Sequence, residues 1–198
     1  MIIKEIRKEK EDYIINIDDI DYLVDENTIV KYNLYANKEI NNLLLEDIIN
    51  SYQYEKYYNM ALRYSLKYNK SKKGLYLYLI NKEIPSNLSY KICDDLEEKK
   101  IINDYVLAEN YTLSYVNKSY GKYMIIKKLN DLFISKDAIE KAINELDYDN
   151  YYSSMNKYVK KNESKYLKYN ENIRKYKIHD DLVKRGYTSD DISNLKIE

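Results

Sequence analysis

Few residues in this chain are equipped for covalent or metal chemistry. His179 is the only histidine and Cys93 the only cysteine. Any Ser-His-Asp or Cys-His arrangement would therefore have to use His179 itself. His179 lies between Ile178 and Asp180 in a stretch of helical character, where a surface histidine fits better than a general base. Cys93, beside Ile92, reads as a half-buried structural thiol, and a lone cysteine allows no intramolecular disulfide. The three glycines, Gly74, Gly121 and Gly186, are too far apart to build a GxxxxGK[ST] or GxGxxG phosphate loop. Asp18-Asp19-Ile20-Asp21 has the acidity of a calcium loop without its turn glycine, and suits a turn beside a strand. Asp94-Asp95 and Asp180-Asp181 read as solvated helix ends. No catalytic, cofactor or metal site is expected.

What remains is charge, and it is distributed in blocks. Arg63, Lys67, Lys70, Lys72, Lys73 and Lys82 fall between Glu55 and Glu83 with no acid among them. Lys118, Lys122, Lys127 and Lys128 do the same between Glu109 and Asp131. A third block lies between Asp149 and Asp180. Acids gather between the blocks, at Asp94, Asp95, Glu97 and Glu98, and at Asp137, Glu140 and Glu145. Such blocks can neutralise backbone phosphate or dock on an acidic protein face. The residues expected to make those contacts are Arg63, Lys67, Lys70, Lys72, Lys73, Lys118, Lys122, Lys127, Lys128, Arg174, Lys175, Lys184 and Arg185.

The elements that must carry these residues are mostly helices. The chain has 198 residues, only three glycines and one proline, and strand-and-turn folds need many of both. Apolar residues at 44% argue against bulk disorder even with 33% charged residues. The 26 tyrosines, beside one phenylalanine and no tryptophan, read as the composition of an AT-rich genome, although a tyrosine also suits a half-buried site with a wet hydroxyl. The start of the chain lacks the apolar run of a signal peptide, and no apolar run is long enough to span a bilayer. A soluble, cytoplasmic monomer with no membrane partner is expected. Residues 1–50 carry 6 basic and 12 acidic side chains, net −6, and residues 51–198 carry 27 and 21, net +6.

The acidic part reads as strands at Ile2 to Arg7, Asp12 to Ile17 and Asp21 to Val24, forming a small antiparallel sheet. A short helix capped by Asp25 or Asn27 follows, then a second helix over about 38–50. From Ser51 onward the pattern is helical, and it repeats. Leu79, Leu129 and Leu182 lie 50 and 53 residues apart. Each has an apolar residue four before it (Leu75, Ile125, Ile178) and another five after it (Ile84, Ile134, Tyr187). Ile134-Ser135-Lys136-Asp137-Ala138-Ile139 matches Tyr187-Thr188-Ser189-Asp190-Asp191-Ile192, and both read as helix starts with Ser135 or Thr188 as the cap. In the first unit Pro85 takes a place near the helix start. Gly186 is placed as a helix C-cap. The expectation is a mainly α protein: a small α/β N-terminal domain (1–50), then three tandem three-helix repeats at 51–101, 102–147 and 148–198, stacked as a curved, elongated array.

The same residues carry a family resemblance. Ala61-Leu62-Arg63-Tyr64 through Leu79, Ile101-Ile102-Asn103-Asp104-Tyr105-Val106-Leu107-Ala108, Tyr120-Gly121-Lys122 through Leu129, and Leu182-Val183-Lys184-Arg185-Gly186-Tyr187 through Ile192 together resemble, in order and spacing, the RecX family of RecA regulators. The N-terminal hairpin with Val24 to Val30 is similar to the extension of Gram-positive members. Two places depart from the family pattern. Tyr68-Asn69-Lys70-Ser71 stands where an arginine-rich run is usual, and residues 120–122 keep one Gly without the usual Pro and Arg. Lysine offers a point charge in place of arginine's planar fork.

The resemblance implies a non-catalytic regulator in DNA recombination, repair and the SOS response. It would bind along the groove of the RecA–DNA filament and modulate, mainly inhibit, recombinase, ATPase and co-protease activity; the basic blocks themselves add an expectation of weak sequence-independent DNA binding. The residues alone leave a second class open: a generic helical-repeat scaffold or non-specific nucleic-acid binder unrelated to RecA. Binding to filaments of the cognate RecA separates the two.

Overall fold

The computed structural model describes residues 1–195; the expected third unit runs on to 198, and its last three residues lie outside the described residues. The chain opens with β1 (Ile3–Glu9), β2 (Asp12–Ile17) and β3 (Ile20–Val24), an antiparallel meander in that order. Asp18 and Asp19 both hold positive φ, 48° and 67°. A two-residue hairpin needs this pair of left-handed residues so that its turn twists with the strands, which explains the Asp-Asp pair and lets β3 start at Ile20 rather than Asp21. Ile3, Ile15, Ile17 and Val24 point inward and close a core with Leu34, Ile40 and Ile48. Apart from an isolated bridge between Ile2 and Glu39, no strand lies beyond Val24 among the described residues.

α1 (Glu26–Lys31) starts at Asp25, whose carboxylate accepts from the Thr28 N–H at 2.7 Å. α2 (Asn42–Tyr68) is a single helix of 27 residues. The helix expected over 38–50 and the one expected from 51 are therefore continuous, and the division expected at 50/51 falls inside it. The charge changes sign there, but no glycine or proline lies between Asn42 and Tyr68 to interrupt the backbone. Asn41 caps its start, and Asn69, left-handed at φ 44°, ends it. α2 serves both the sheet, through Ile48 near its start, and the helical array, through Ala61 further along and on a different face.

The rest is three three-helix units. α2, α3 (Lys72–Ile80) and α4 (Ser86–Glu98) form the first. α5 (Asp104–Asn117), α6 (Lys122–Asp131) and α7 (Lys136–Asn144) form the second. α8 (Tyr148–Lys161), α9 (Glu171–Lys184) and α10 (Ser189–Ser193) form the third. Leu79, Leu129 and Leu182 are all fully buried. The middle helix of each unit ends the same way. Glu83, Phe133 and Gly186 turn left-handed, at φ 61°, 57° and 92°. The next N–H then reaches back to the anchoring leucine's carbonyl: Ile84 to Leu79 at 3.2 Å, Ile134 to Leu129 at 3.3 Å, Tyr187 to Leu182 at 3.1 Å. This 6→1 bond closes a helix C-terminus and buries the residue that makes it. It explains why an apolar residue stands five after each anchor. Only the third unit uses glycine for the turn.

Two seams join the units. At the first, the Asp104 carboxylate accepts from the Lys72 N–H (2.9 Å) and the Ser135 N–H (2.8 Å), and the Ser71 hydroxyl donates to the Leu132 carbonyl (2.8 Å). Ser135 thus starts α7 without a side-chain cap bond of its own, contrary to expectation. At the second seam, the Gly121 N–H donates to the Arg185 carbonyl at 2.9 Å and the Tyr123 N–H to the Gly186 carbonyl at 3.1 Å. A Cβ on Gly121 would fall 2.1 Å from the Gly186 carbonyl carbon, and one on Gly186 2.4 Å from the Met124 nitrogen. The Lys122 N–H donates to the Tyr151 hydroxyl, which donates to Asp191, both at 3.1 Å. Asp191 also completes a capping box with Thr188. Units two and three share one core that includes Val116, Ile125, Tyr151 and Tyr187, whereas unit one has its own around Ala61, Leu75 and Ile92. Cys93 is fully buried in that first core, more than expected, and burial pushes its thiol up to about 12.

Leu129→Ala is expected to cost about 2–5 kcal/mol in urea denaturation, the range for a buried leucine that leaves a cavity. Gly121→Ala forces two backbones apart and is expected to lower stability by about 1–3 kcal/mol or more; an unchanged midpoint would contradict the close seam. Asp191 supplies a pH signature. Burial alone raises its pKa, but the bonds from Thr188, the Lys122 charge and the Tyr151 hydroxyl outweigh burial and hold it below the usual carboxylate value. A depressed folded pKa stabilises above the unfolded value, about 3.9, and that contribution is lost as pH falls through the lower folded value. Asp191→Asn is expected to be less stable than the parent at neutral pH and to show a flatter stability–pH slope below pH 4.

Candidate functional site

The anchoring leucines give a common frame for the expected basic contacts. Seven residues before them stand Lys72, Lys122 and Lys175, basic in every unit and engaged in every unit. The Lys72 ammonium sits between Asp94 and Glu97, 2.7 Å from each, and both acids favour its charged form. The Lys122 ammonium lies 3.4 Å from Asp191 and 4.7 Å from the Tyr148 ring centre. Lys175 pairs with Glu171 at 2.7 Å, and Lys184 with Asp180 at 2.7 Å. Arg185 is drawn into the second seam: its Nε donates to the Ser119 carbonyl at 2.8 Å, and its guanidinium stacks 4.0 Å from the Tyr158 ring centre. Arg174 is partly buried, with one donor 3.4 Å from the Tyr169 carbonyl.

The remaining residues form no ion pair among the described residues. They are Arg63, Lys67, Lys70 and Lys73 in unit one, and Lys118, Lys127 and Lys128 in unit two; Arg63, Lys67, Lys73, Lys118 and Lys127 are the exposed ones. Two residues before the anchors, the frame reads Leu77, Lys127, Asp180; one before, it reads Tyr78, Lys128, Asp181. The blocks that recur along the chain therefore do not superpose as one row of positive charge at these positions, and the expected contacts that stay unpaired and exposed lie on the first two units. Asp181 is itself occupied, accepting from the hydroxyls of Tyr158 (3.0 Å) and Tyr166 (2.6 Å).

A second feature went unread in the sequence. A concavity lies between the N-terminal sheet and unit one, with Lys56, Arg63, Lys67 and Tyr68 on its α2 wall, Tyr78 from α3, and Glu11, Asp12 and Asp25 at its other lip. Tyr64 and Tyr78 stack face to face, 3.5 Å apart and 3° from parallel, and Tyr68 adjoins Tyr64 at 4.9 Å. The Tyr52 hydroxyl donates to Asp12 at 3.1 Å, bolting α2 to the sheet; burial first, then Asp12, pushes its pKa up to about 12. The available signal was Tyr64 and Tyr68 four apart on a helix with Lys67 between them. Reading tyrosine as composition concealed it.

Other candidates have ordinary surroundings. His179 is exposed on α9. Asp19 pairs with Lys4, and Asp21 with Arg7. Among the described residues no group of three or more His, Cys, Asp or Glu is placed to hold a metal ion. No helix among them is long and apolar enough to cross a membrane.

Comparison with known proteins agrees with this architecture. No family model matches the chain. It is 33% identical over 150 residues to the regulatory protein RecX of Streptococcus uberis, an alignment covering 75% of this chain and 58% of that protein. It is 26% identical over 178 residues to RecX of Enterococcus faecalis (88% and 66%), and 28% identical over 191 residues to RecX of Streptococcus mutans (95% and 73%). The chain thus spans about three fifths of the length of the first curated relatives it matches. In fold it is similar to a crystal structure of regulatory protein RecX, with TM-score 0.81 and 22% identity, covering 100% of this chain and 99% of that one. RecX from Lactobacillus salivarius gives TM-score 0.66 and 24% identity, covering 71% and 92%.

The two sorts of basic residue are expected to behave differently on neutralisation. Lys73→Gln and Lys127→Gln should leave stability within about 0.5 kcal/mol. Arg185→Gln should cost about 2–3 kcal/mol, because a partly buried charged donor and its stacked rings lose their partner. Chemical denaturation of the three variants checks this, and equal midpoints would put Arg185 back among the free surface cations.

Proposed function

The chain belongs to the RecX family of regulatory proteins, and on that premise we propose that it binds the RecA–DNA filament along its groove and lowers recombinase, ATPase and co-protease activity. The observation that carries this reading is the 33% identity to a curated RecX protein. The arrangement of charge supports it. An array of three similar units can present the same kind of contact at successive points along a helical groove, so that weak contacts add through avidity. The cations left free by the internal ion pairs, Lys73, Lys118, Lys127 and Lys128, offer the sequence-independent attraction to backbone phosphate that such docking uses. The sheet domain, net −6 over residues 1–50, is assigned to a protein surface or solvent and not to DNA. The role is that of a regulator acting by occupancy, with no chemical step.

The test is ATP hydrolysis by the cognate RecA on single-stranded DNA, titrated with this protein in moderate salt. The rate is expected to fall at substoichiometric ratios, with the protein co-sedimenting with filaments. Exchanging Lys73, Lys127 and Lys128 together for Glu should weaken the effect far more than exchanging Lys8 and Lys10. No change in rate together with no co-sedimentation would reject the reading and leave a helical-repeat scaffold unrelated to RecA.

A further inference from the structure

The concavity between the N-terminal sheet and unit one combines two features that phosphate attraction alone does not require. Along α2, Lys56, Arg63 and Lys67 follow one another at spacings of seven and four residues, which keeps them on one face of the helix over a rise of about 16 Å. None of the three forms an ion pair among the described residues. Beside them runs a ladder of rings. Tyr64 and Tyr78 are stacked at 3.5 Å and 3°, and Tyr68, the last residue of α2, leans against Tyr64 at 4.9 Å and 50° with 48% of its surface open. Cations flank the rings: the Lys67 ammonium is 5.0 Å from the Tyr68 centroid, and that of Lys82 is 5.9 Å from the Tyr78 centroid.

Charge is also ordered along the concavity. Glu11, Asp12 and Asp25 occupy the lip formed by the sheet domain, with Asp12 bound to Tyr52 and Asp25 spent on the cap of α1. The free cations begin beyond that lip and continue toward the open end of the ladder. A ligand that fits must be anionic and must also present a flat π face. Acidic peptide supplies the first property without the second. Duplex DNA keeps its base faces stacked internally. Single-stranded nucleic acid has both properties available, and base–aromatic stacking is tolerant of sequence because every base has such a face.

We propose that this concavity is a single-strand binding site, in which an unpaired base stacks on the open end of the Tyr78–Tyr64–Tyr68 ring cluster while Arg63 and Lys67 hold the flanking phosphates. Tyr68 is the primary platform, Tyr64 sets its angle with Tyr78 stacked behind it, and the acidic lip fixes the end at which the strand leaves. The site deepens the filament-binding reading by naming the form of nucleic acid this end of the array takes. It is measured without RecA, so its failure and the failure of that reading are distinguishable.

The experiment uses the full chain and fluorescence anisotropy with three labelled ligands of equal length: an oligothymidine, an abasic oligomer with the same phosphates, and a duplex. Oligothymidine is expected to bind about tenfold or more tighter than the abasic strand, in line with stacking at one or two bases, and tighter than the duplex. Tyr68→Ala should remove most of the preference over the abasic strand. Tyr68→Phe should keep it, because the ring and not the hydroxyl acts. Lys67→Gln should weaken both single strands alike and reduce the salt dependence by about one phosphate's contribution. Circular dichroism of Tyr68→Ala checks that the exposed end of α2 has kept its fold, with Tyr68→Phe as the variant that stands if it has not. Equal affinity for oligothymidine and abasic strand, equal affinity for duplex, loss of the preference in Tyr68→Phe, or competition by polyglutamate as effective as by oligothymidine would overturn the proposal.

Discussion

The array depends on how the first two middle helices, α3 and α6, are closed at their starts. A helix begins with backbone N–H groups that have no partner inside it, and here the next unit along the chain supplies the acceptors. At the first seam the acceptor is Asp104, whose two oxygens take the N–H groups that open α3 and α7. At the second the acceptors are the Arg185 and Gly186 carbonyls and the Tyr151 hydroxyl. The chemistry differs and the geometry is shared. In both cases the partner is the left-handed turn that ends the following middle helix, or lies beside it. A unit in isolation would leave those donors to water, so the units specify one another's position as well as adding core.

That requirement explains the fate of the charged residues. Lys72 and Lys122 are the first residues of α3 and α6, and at that place their side chains reach acids of the third helix, within the unit for Lys72 and across the seam for Lys122. Arg185 follows α9 directly and falls against the Lys118 and Ser119 carbonyls of the preceding unit. The side chains of Lys72, Lys122 and Arg185 are thus consumed by structure. Charge a turn or more away, as at Lys127, or on the first helix, as at Arg63 and Lys67, stays free. The third unit has Asp180 and Asp181 where the second has Lys127 and Lys128, and carries lysines outside any ion pair among the described residues on its first helix instead, at Lys157, Lys160 and Lys161.

How much of this could be read from the chain follows from which forces are local. The anchors at Leu79, Leu129 and Leu182, the capping role of Thr188 and the strands of the sheet are fixed by patterns within a few residues, and all are visible in the sequence. The recurring apolar residue five after each anchor is visible too, because a 6→1 bond is a local event. Glu83 and Phe133 show its limit: nothing about either residue advertises a left-handed turn, and only Gly186 does. A division at residue 50 follows from where the repeat begins, but a repeat boundary need not interrupt a helix, and no glycine or proline breaks α2 there. The ion pairs of Lys72 and Lys122 depend on which acid a neighbouring helix presents, and that is set by packing. The tyrosine ladder was obscured for a different reason. An abundant residue carries little information per occurrence, so its placement has to be read from helix faces and not from frequency.

The two seams also differ in what resists their deformation. Units two and three bury Tyr151, Tyr187, Val116 and Ile125 in one core, so separating them exposes apolar surface at roughly 25 cal/mol for each Å². Units one and two keep separate cores, and their joint relies on Asp104 and Ser71, a few hydrogen bonds worth about 1 kcal/mol each, or up to about 3 where a charge is involved. Hydrogen bonds of that kind are directional and short-ranged, whereas an apolar contact tolerates sliding. On the proposed reading, the array has to match the pitch of the groove in which it docks. The physical place for any adjustment in this chain is the Asp104 seam, between the end that holds the free cations of α2 and the pair of units that moves as one core. The carboxylate that sets this angle lies one residue after Asn103, at the linker through which the chain passes from its first unit to its second.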